Sequence, residues 1–158
     1  MEFVYKRTYR GPLKLAILDW AGTTMDYGCY APAVVFIETF RLQGVEITME
    51  EARRPMGLKK IDHIRAISKQ PAVAERWRLV HGRDCTEEDV QRMFKDYFRL
   101  QVECIGDYAE LIPGTLDAVA AMREMGMKIG STSGYFTEAM EICLREAERQ
   151  GYKPDASP

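Results

Sequence analysis

Lys14 to Gly28 reads KLAILDWAGTTMDYG, and this run decides the fold. Lys14 to Leu18 is short and apolar and stops at Asp19. Such a run reads as a buried strand of a parallel sheet. Gly22, Thr23 and Thr24 break it. An aspartate at the carboxyl end of a buried strand is costly without a partner or a metal. Beside a glycine turn it sits where backbone N–H groups face an anion. Asp19 is therefore a candidate carboxylate nucleophile for a phosphoryl group, with Mg2+ to neutralise charge. The alternative reading is a helix cap or a turn aspartate.

Outward from this strand the spacing is helical. Pro32 suits a first helical turn, and Val34, Ile37 and Phe40 share a face until Gly44. Thr48 and Glu51 form a capping box, and Pro55 interrupts the helix it opens. Ile61, Ile64 and Ile67 mark another helical face, and Val73 to His81 a further helix. Thr86 caps a long helix carrying Val90, Phe94, Tyr97, Gln101 and Ile105. Pro113-Gly114 opens a helix with Leu116, Val119 and Met122, closed by Gly126. Met127 to Thr132 then reads as a second buried strand, and residues 137–150 as a last helix.

The order is strand, helical block, helix, strand, helix. It predicts an α/β fold with a parallel sheet. The helical block follows the first strand, at the end where such sheets place their sites. Residues 1–27 and 109–158 are assigned to a partial Rossmann-like core, and 28–108 to an α-helical cap inserted over a pocket.

Composition narrows the function. A net charge of −2 without a basic stripe favours neither nucleic acid nor a membrane surface. No apolar run approaches the ~20 residues of a membrane span. The charged start, MEFVYKRTYRGPLK, has no apolar h-region and is not read as a secretory signal. Cys29, Cys85, Cys104 and Cys143 are too scattered for a zinc site or a disulfide framework, so a cytoplasmic setting is expected.

Two further runs carry chemistry. Met56 to His63 is MGLKKIDH. Adjacent lysines at a helix start are usually solvated, and a lone histidine is more often surface or core than catalyst. Lys128 to Tyr135 is KIGSTSGY, where a strand ends in small hydroxyl residues and glycine before a helix. That is a natural phosphate cradle or an ordinary turn. The aromatics Phe94, Tyr97 and Phe98 read as cap core.

Together, LDWAGTTMDYG, MGLKKIDH and KIGSTSGY resemble the motifs of the phosphonoacetaldehyde hydrolases of the haloacid dehalogenase superfamily. The similarity runs from about Leu15 to Asp155 and includes EEARRPMGLKKIDHIRA and EAERQGYKPD. Most phosphatases of that superfamily carry a general-acid aspartate two residues after the nucleophile. This chain has Ala21 there, and Asp26 is seven residues on. A carbon leaving group needs an electron sink rather than protonation of an ester oxygen, and a lysine imine supplies one. The resemblance places Lys60 at the imine-forming position. Burial against Met56 and Ile61 would lower its pKa. His63 would share a helical face with it and carry a proton or orient a water.

The resemblance further implies Asp19 and the Ala21 backbone carbonyl as Mg2+ ligands. It gives Ser133 and Gly134 the phosphoryl oxygens, with Ser133 where the family usually shows Thr. Met56, Cys29 and Tyr135 match positions near the family's pocket, though Cys29 and Tyr135 read equally as core packing. The implied activity is hydrolysis of phosphonoacetaldehyde to acetaldehyde and phosphate in phosphonate degradation, by a homodimer. The family pattern is lost after Lys153-Pro154-Asp155, so the third and fourth motifs are expected to be absent, the chain being either a C-terminally truncated product or a fragment of a longer enzyme. Sheet edges and apolar faces are then expected to be uncovered, and the chain to fold poorly. Two other readings stay open: a different phosphatase or phosphomutase of the superfamily, and a non-catalytic fragment that pairs with a partner chain.

Overall fold

The computed structural model describes residues 11–157. The expectations for residues 1–10, as the start of the core segment and as a non-signal stretch, lie outside the described residues. The element order is β1 (Leu15–Asp19), α1 (Tyr30–Arg41), α2 (Met49–Arg53), α3 (Lys60–Ser68), α4 (Pro71–His81) and α5 (Glu87–Cys104). A 3-10 turn (Ile105–Tyr108), α6 (Thr115–Glu124), β2 (Lys128–Thr132) and α7 (Thr137–Arg149) follow. The fold is α/β, with a small parallel sheet, as the order of apolar runs predicts.

β1 and β2 pair in parallel, from Leu15 opposite Lys128 to Asp19 opposite Thr132. This register brings the two chemistry-bearing turns to one end of the sheet. On the far side of β2, Asp155 N–H donates to the Ile129 carbonyl (2.7 Å) and Ser131 N–H to the Ala156 carbonyl (2.8 Å). Gly130 and Ala156 thus form a parallel bridge.

Local sequence explains the helices. The Thr48 hydroxyl accepts from Glu51 N–H (3.1 Å), and the Glu51 carboxylate accepts from Thr48 N–H (2.8 Å). Thr86 and Asp89 repeat the device at α5. There the buried Asp89 carboxylate also receives Arg83 and Arg92, and Arg83 above all holds its pKa well below the usual carboxylate range.

Two hydrophobic clusters result. One joins α1 to α5 through Phe36, Phe40, Ile64, Trp77, Met93 and Tyr97. The other joins the sheet to α6 and α7 through Trp20, Val119, Ile129, Met140 and Tyr152, and takes in Ala31 and Ile105. Burial of each large apolar side chain is worth about 1.5–3 kcal/mol.

Two expectations are corrected. β1 is not buried on both faces: Leu15 and Ile17 are 53% and 61% exposed. α6 and α7 both pack against the face that carries Ala16, Leu18 and Ile129, and no described element covers the other. In α1, Val34 and Ile37 are only half-buried, whereas Val35, Phe36 and Phe40 are buried. α1 packs against both α2 and α5, so its inward face is wider than the Val34–Ile37–Phe40 stripe and turned from it.

Candidate active site

The turn after β1 is built on one carbonyl. Trp20 O accepts from the N–H groups of Thr23 (3.1 Å), Thr24 (3.0 Å) and Met25 (3.1 Å). The Thr24 hydroxyl donates to the Asp19 carbonyl at 3.0 Å. Gly22 has φ +77°, and a Cβ there would lie 2.5 Å from Cys29 Sγ. Only glycine satisfies both the left-handed backbone and that approach.

Asp26 has a separate task. Its carboxylate accepts from the N–H groups of Tyr30 (2.9 Å) and Ala31 (3.0 Å), bracing the start of α1. Burial raises its pKa, against the pull of those two N–H groups and of Arg53. It does not line the cavity with Asp19, consistent with its distance from Ala21 in sequence. Cys29 precedes α1 with φ 52° and ψ 51°. Burial pushes its thiol pKa up, with Asp26 and Asp19 adding to the rise.

A cavity of about 710 Å³ gathers most of the residues singled out in the sequence. Asp19, Ala21 and Cys29 line it from the β1 side, and Met56 and Lys60 from the start of α3. Ser133, Gly134 and Tyr135 line it from the β2–α7 turn. Lys60 Nζ lies 6.0 Å from the ring centroids of both Phe36 and Tyr97. Burial lowers its pKa, while Cys29 and Asp19 pull the other way. Asp19 itself is exposed at the cavity wall. The Ser133 hydroxyl oxygen accepts from Tyr135 N–H at 3.0 Å, which fixes the turn and leaves its own proton to donate. The Tyr135 hydroxyl is buried without a hydrogen-bond partner among the described residues, and burial raises its pKa.

His63 is the member that the structure does not bring to the cavity wall. It is fully buried, with Nε2 2.7 Å from the Ala52 carbonyl and its ring stacked 3.9 Å from Phe36. Burial lowers its pKa. Conversely, Pro32, Leu58, Phe94 and Phe136 wall the cavity although nothing in their type announced it.

Among the described residues no group of three or more His, Cys, Asp or Glu is placed to hold a metal ion. Asp19 offers one carboxylate and Ala21 a backbone carbonyl. These oxygens suit a hard divalent cation as part of its shell.

No family model matches the chain. It is 51% identical over 154 residues to the phosphonoacetaldehyde hydrolase of Syntrophobacter fumaroxidans, covering 98% of this chain and 56% of that protein. It is 50% identical over 143 residues to the phosphonoacetaldehyde hydrolase of Bacillus cereus strain B4264, covering 90% and 54%. Among solved structures, a phosphonoacetaldehyde hydrolase-like protein from Oleispira antarctica superimposes with a TM-score of 0.88 at 34% identity, over 99% of this chain and 57% of that one. A hydrolase from Pseudomonas syringae, with a TM-score of 0.62 and 15% identity over 84% of this chain, shares the fold. The chain spans about half the length of the curated relatives it matches. Over that half, in sequence and in fold, it is similar to the phosphonoacetaldehyde hydrolases.

Proposed function

We propose that this cavity serves hydrolysis of the carbon–phosphorus bond of phosphonoacetaldehyde, giving acetaldehyde and phosphate, in phosphonate degradation. The observation that carries the reading is that the Lys60 amine and the Asp19 carboxylate line one cavity. Residues 1–27 and 109–158 act as the core that holds the nucleophile, and 28–108 as the cap that holds the amine.

Lys60, its pKa lowered by burial, attacks the aldehyde in its neutral form, and loss of water leaves an iminium. An Asp19 oxygen attacks phosphorus in line as the P–C bond breaks. The bond pair passes into the C–C–N system, so carbon departs as an enamine rather than a carbanion. Protonation at carbon and addition of water release acetaldehyde and the amine. A second water opens the aspartyl phosphate. Ser133 O–H and Gly134 N–H hold phosphoryl oxygens as charge builds on them. Met56, Cys29 and Tyr135 shape the pocket. Buried behind Phe36, with Nε2 on the Ala52 carbonyl, His63 positions α3. Mg2+ held by the Asp19 carboxylate and the Ala21 carbonyl would offset repulsion between carboxylate and phosphonate. A homodimer in the cytoplasm completes the reading. The cysteines among the described residues are free, which fits a reducing compartment.

Borohydride trapping with phosphonoacetaldehyde tests it. Peptide mass mapping is expected to find the adduct on Lys60. An N-ethyl increment reports imine reduced after bond cleavage, and a phosphonoethyl increment imine reduced before it. Lys60→Arg abolishes both. Trapping that persists in Lys60→Arg removes the imine role.

A further inference from the structure

Tyr135 and Phe136 are neighbours in the β2–α7 turn, yet they pack into different clusters. Tyr135 joins the sheet-side cluster, and Phe136 the cap cluster. The Phe136 ring centroid lies 4.7 Å from that of Phe98 and 5.9 Å from that of Phe94, both on α5. These are the tilted and edge-on arrangements that aromatic pairs prefer. Phe94 and Phe136 are also part of the cavity wall that carries Asp19, Lys60 and Ser133.

Phe136 stands at the N-cap of α7, and like Cys29, Lys59, Gln70 and Gly114 at other helix starts it gives no side-chain cap bond. At a helix N-cap, Ser, Thr, Asp or Asn would bond an open N–H group. Phe136 makes no such bond. What it supplies instead is a ring that reaches from the strand-to-helix turn across to the longest helix of the cap.

We propose that Phe136 is a positioning residue: it docks α5 on the Ser133–Gly134 turn, so that closure of the cavity and placement of the phosphoryl-binding turn are a single event. The docking rests on packing alone. Its effect on turnover rests on the C–P cleavage proposed above.

Cys29 gives a readout independent of catalysis. It lines the cavity, whereas Cys85 and Cys104 are half-buried in the cap and do not. Site-resolved alkylation by mass spectrometry compares the three thiols in the full chain. In Phe136→Ser the ring is lost and a preferred N-cap residue is gained, so α7 keeps its start. Cys29 labelling is expected to rise about tenfold, the order expected for loss of two aromatic contacts. Cys85 and Cys104 stay at their original rates. Phe136→Tyr restores slow labelling, and Phe98→Ala reproduces the fast rate without adding to Phe136→Ser. A parallel rise at all three cysteines in both Phe136→Ser and Phe98→Ala means general loosening and overturns the docking role, as does an unchanged Cys29. Failure of borohydride trapping with selective Cys29 exposure retained would remove the chemistry and leave the docking standing.

Discussion

A lysine amine adds to an aldehyde only in the fraction that is neutral, and at position 60 burial raises that fraction. The same burial acts on His63, with a consequence for stability. An unfolded chain protonates a histidine near pH 6.5, while the fold, with the ring sealed against Phe36, takes the proton only at lower pH. Between the two values the unfolded chain holds more protons, so stability falls as pH drops through that window and is undiminished above it. Urea midpoints are expected to decline from about pH 7 to about pH 5. His63→Gln can still donate to the Ala52 carbonyl but does not titrate, so it flattens that part of the slope. An equal slope in the variant would mean that His63 is not the titrating group.

At the scale of elements, α5 is fixed by its first turn. Thr86→Ala removes the hydroxyl half of the capping box and is expected to cost about 1 kcal/mol of stability. A melting curve checks the loss, and the extent of Lys60 trapping per folded molecule should not change. The Thr48–Glu51 box was legible in the sequence because it depends on two residues at a fixed spacing, and Thr86 was legible as a cap, whereas the part of Asp89 in its box was not. Legible too were the strand ends at Asp19 and Thr132, where an apolar run meets glycine and hydroxyl residues. Facing was harder to read. Lys60 and His63 are three residues apart and near one another on α3, but that step leaves an angle between them. Lys60 turns to the cavity while His63 turns inward onto Phe36. The run KLAIL reads as buried because it is apolar, and nothing local reveals that both neighbouring helices lie on one side. Phe136 gave no signal because the turn was read through its hydroxyls and glycine, and an aromatic there announces neither a wall nor a contact with α5.

For the molecule as a whole the governing feature is the side of the sheet that no described element covers. Leu13, Leu15 and Ile17 are more than half exposed, and Gly130 lies against the Leu15 and Ile17 side chains on that side. Contiguous apolar surface of this kind attracts further apolar groups. An environment-sensitive hydrophobic dye is expected to fluoresce with the wild-type chain and to lose most of that signal with Leu15→Lys/Ile17→Lys. An undiminished signal would place the sticky surface elsewhere, Leu79 and Val80 of α4 being another exposed apolar pair. The bridge between Gly130 and Ala156 adds a constraint of handedness. Connections between parallel strands are right-handed in about 98% of cases. The two steps here, from β1 to β2 and from β2 to Ala156, advance in one direction, and so deliver α6 and α7 to the same side. A helix reaches the opposite side only when a strand is laid along the outer margin of β1. Asp19 would then stand mid-sheet, flanked left and right, and the hollow above it would acquire a second rim.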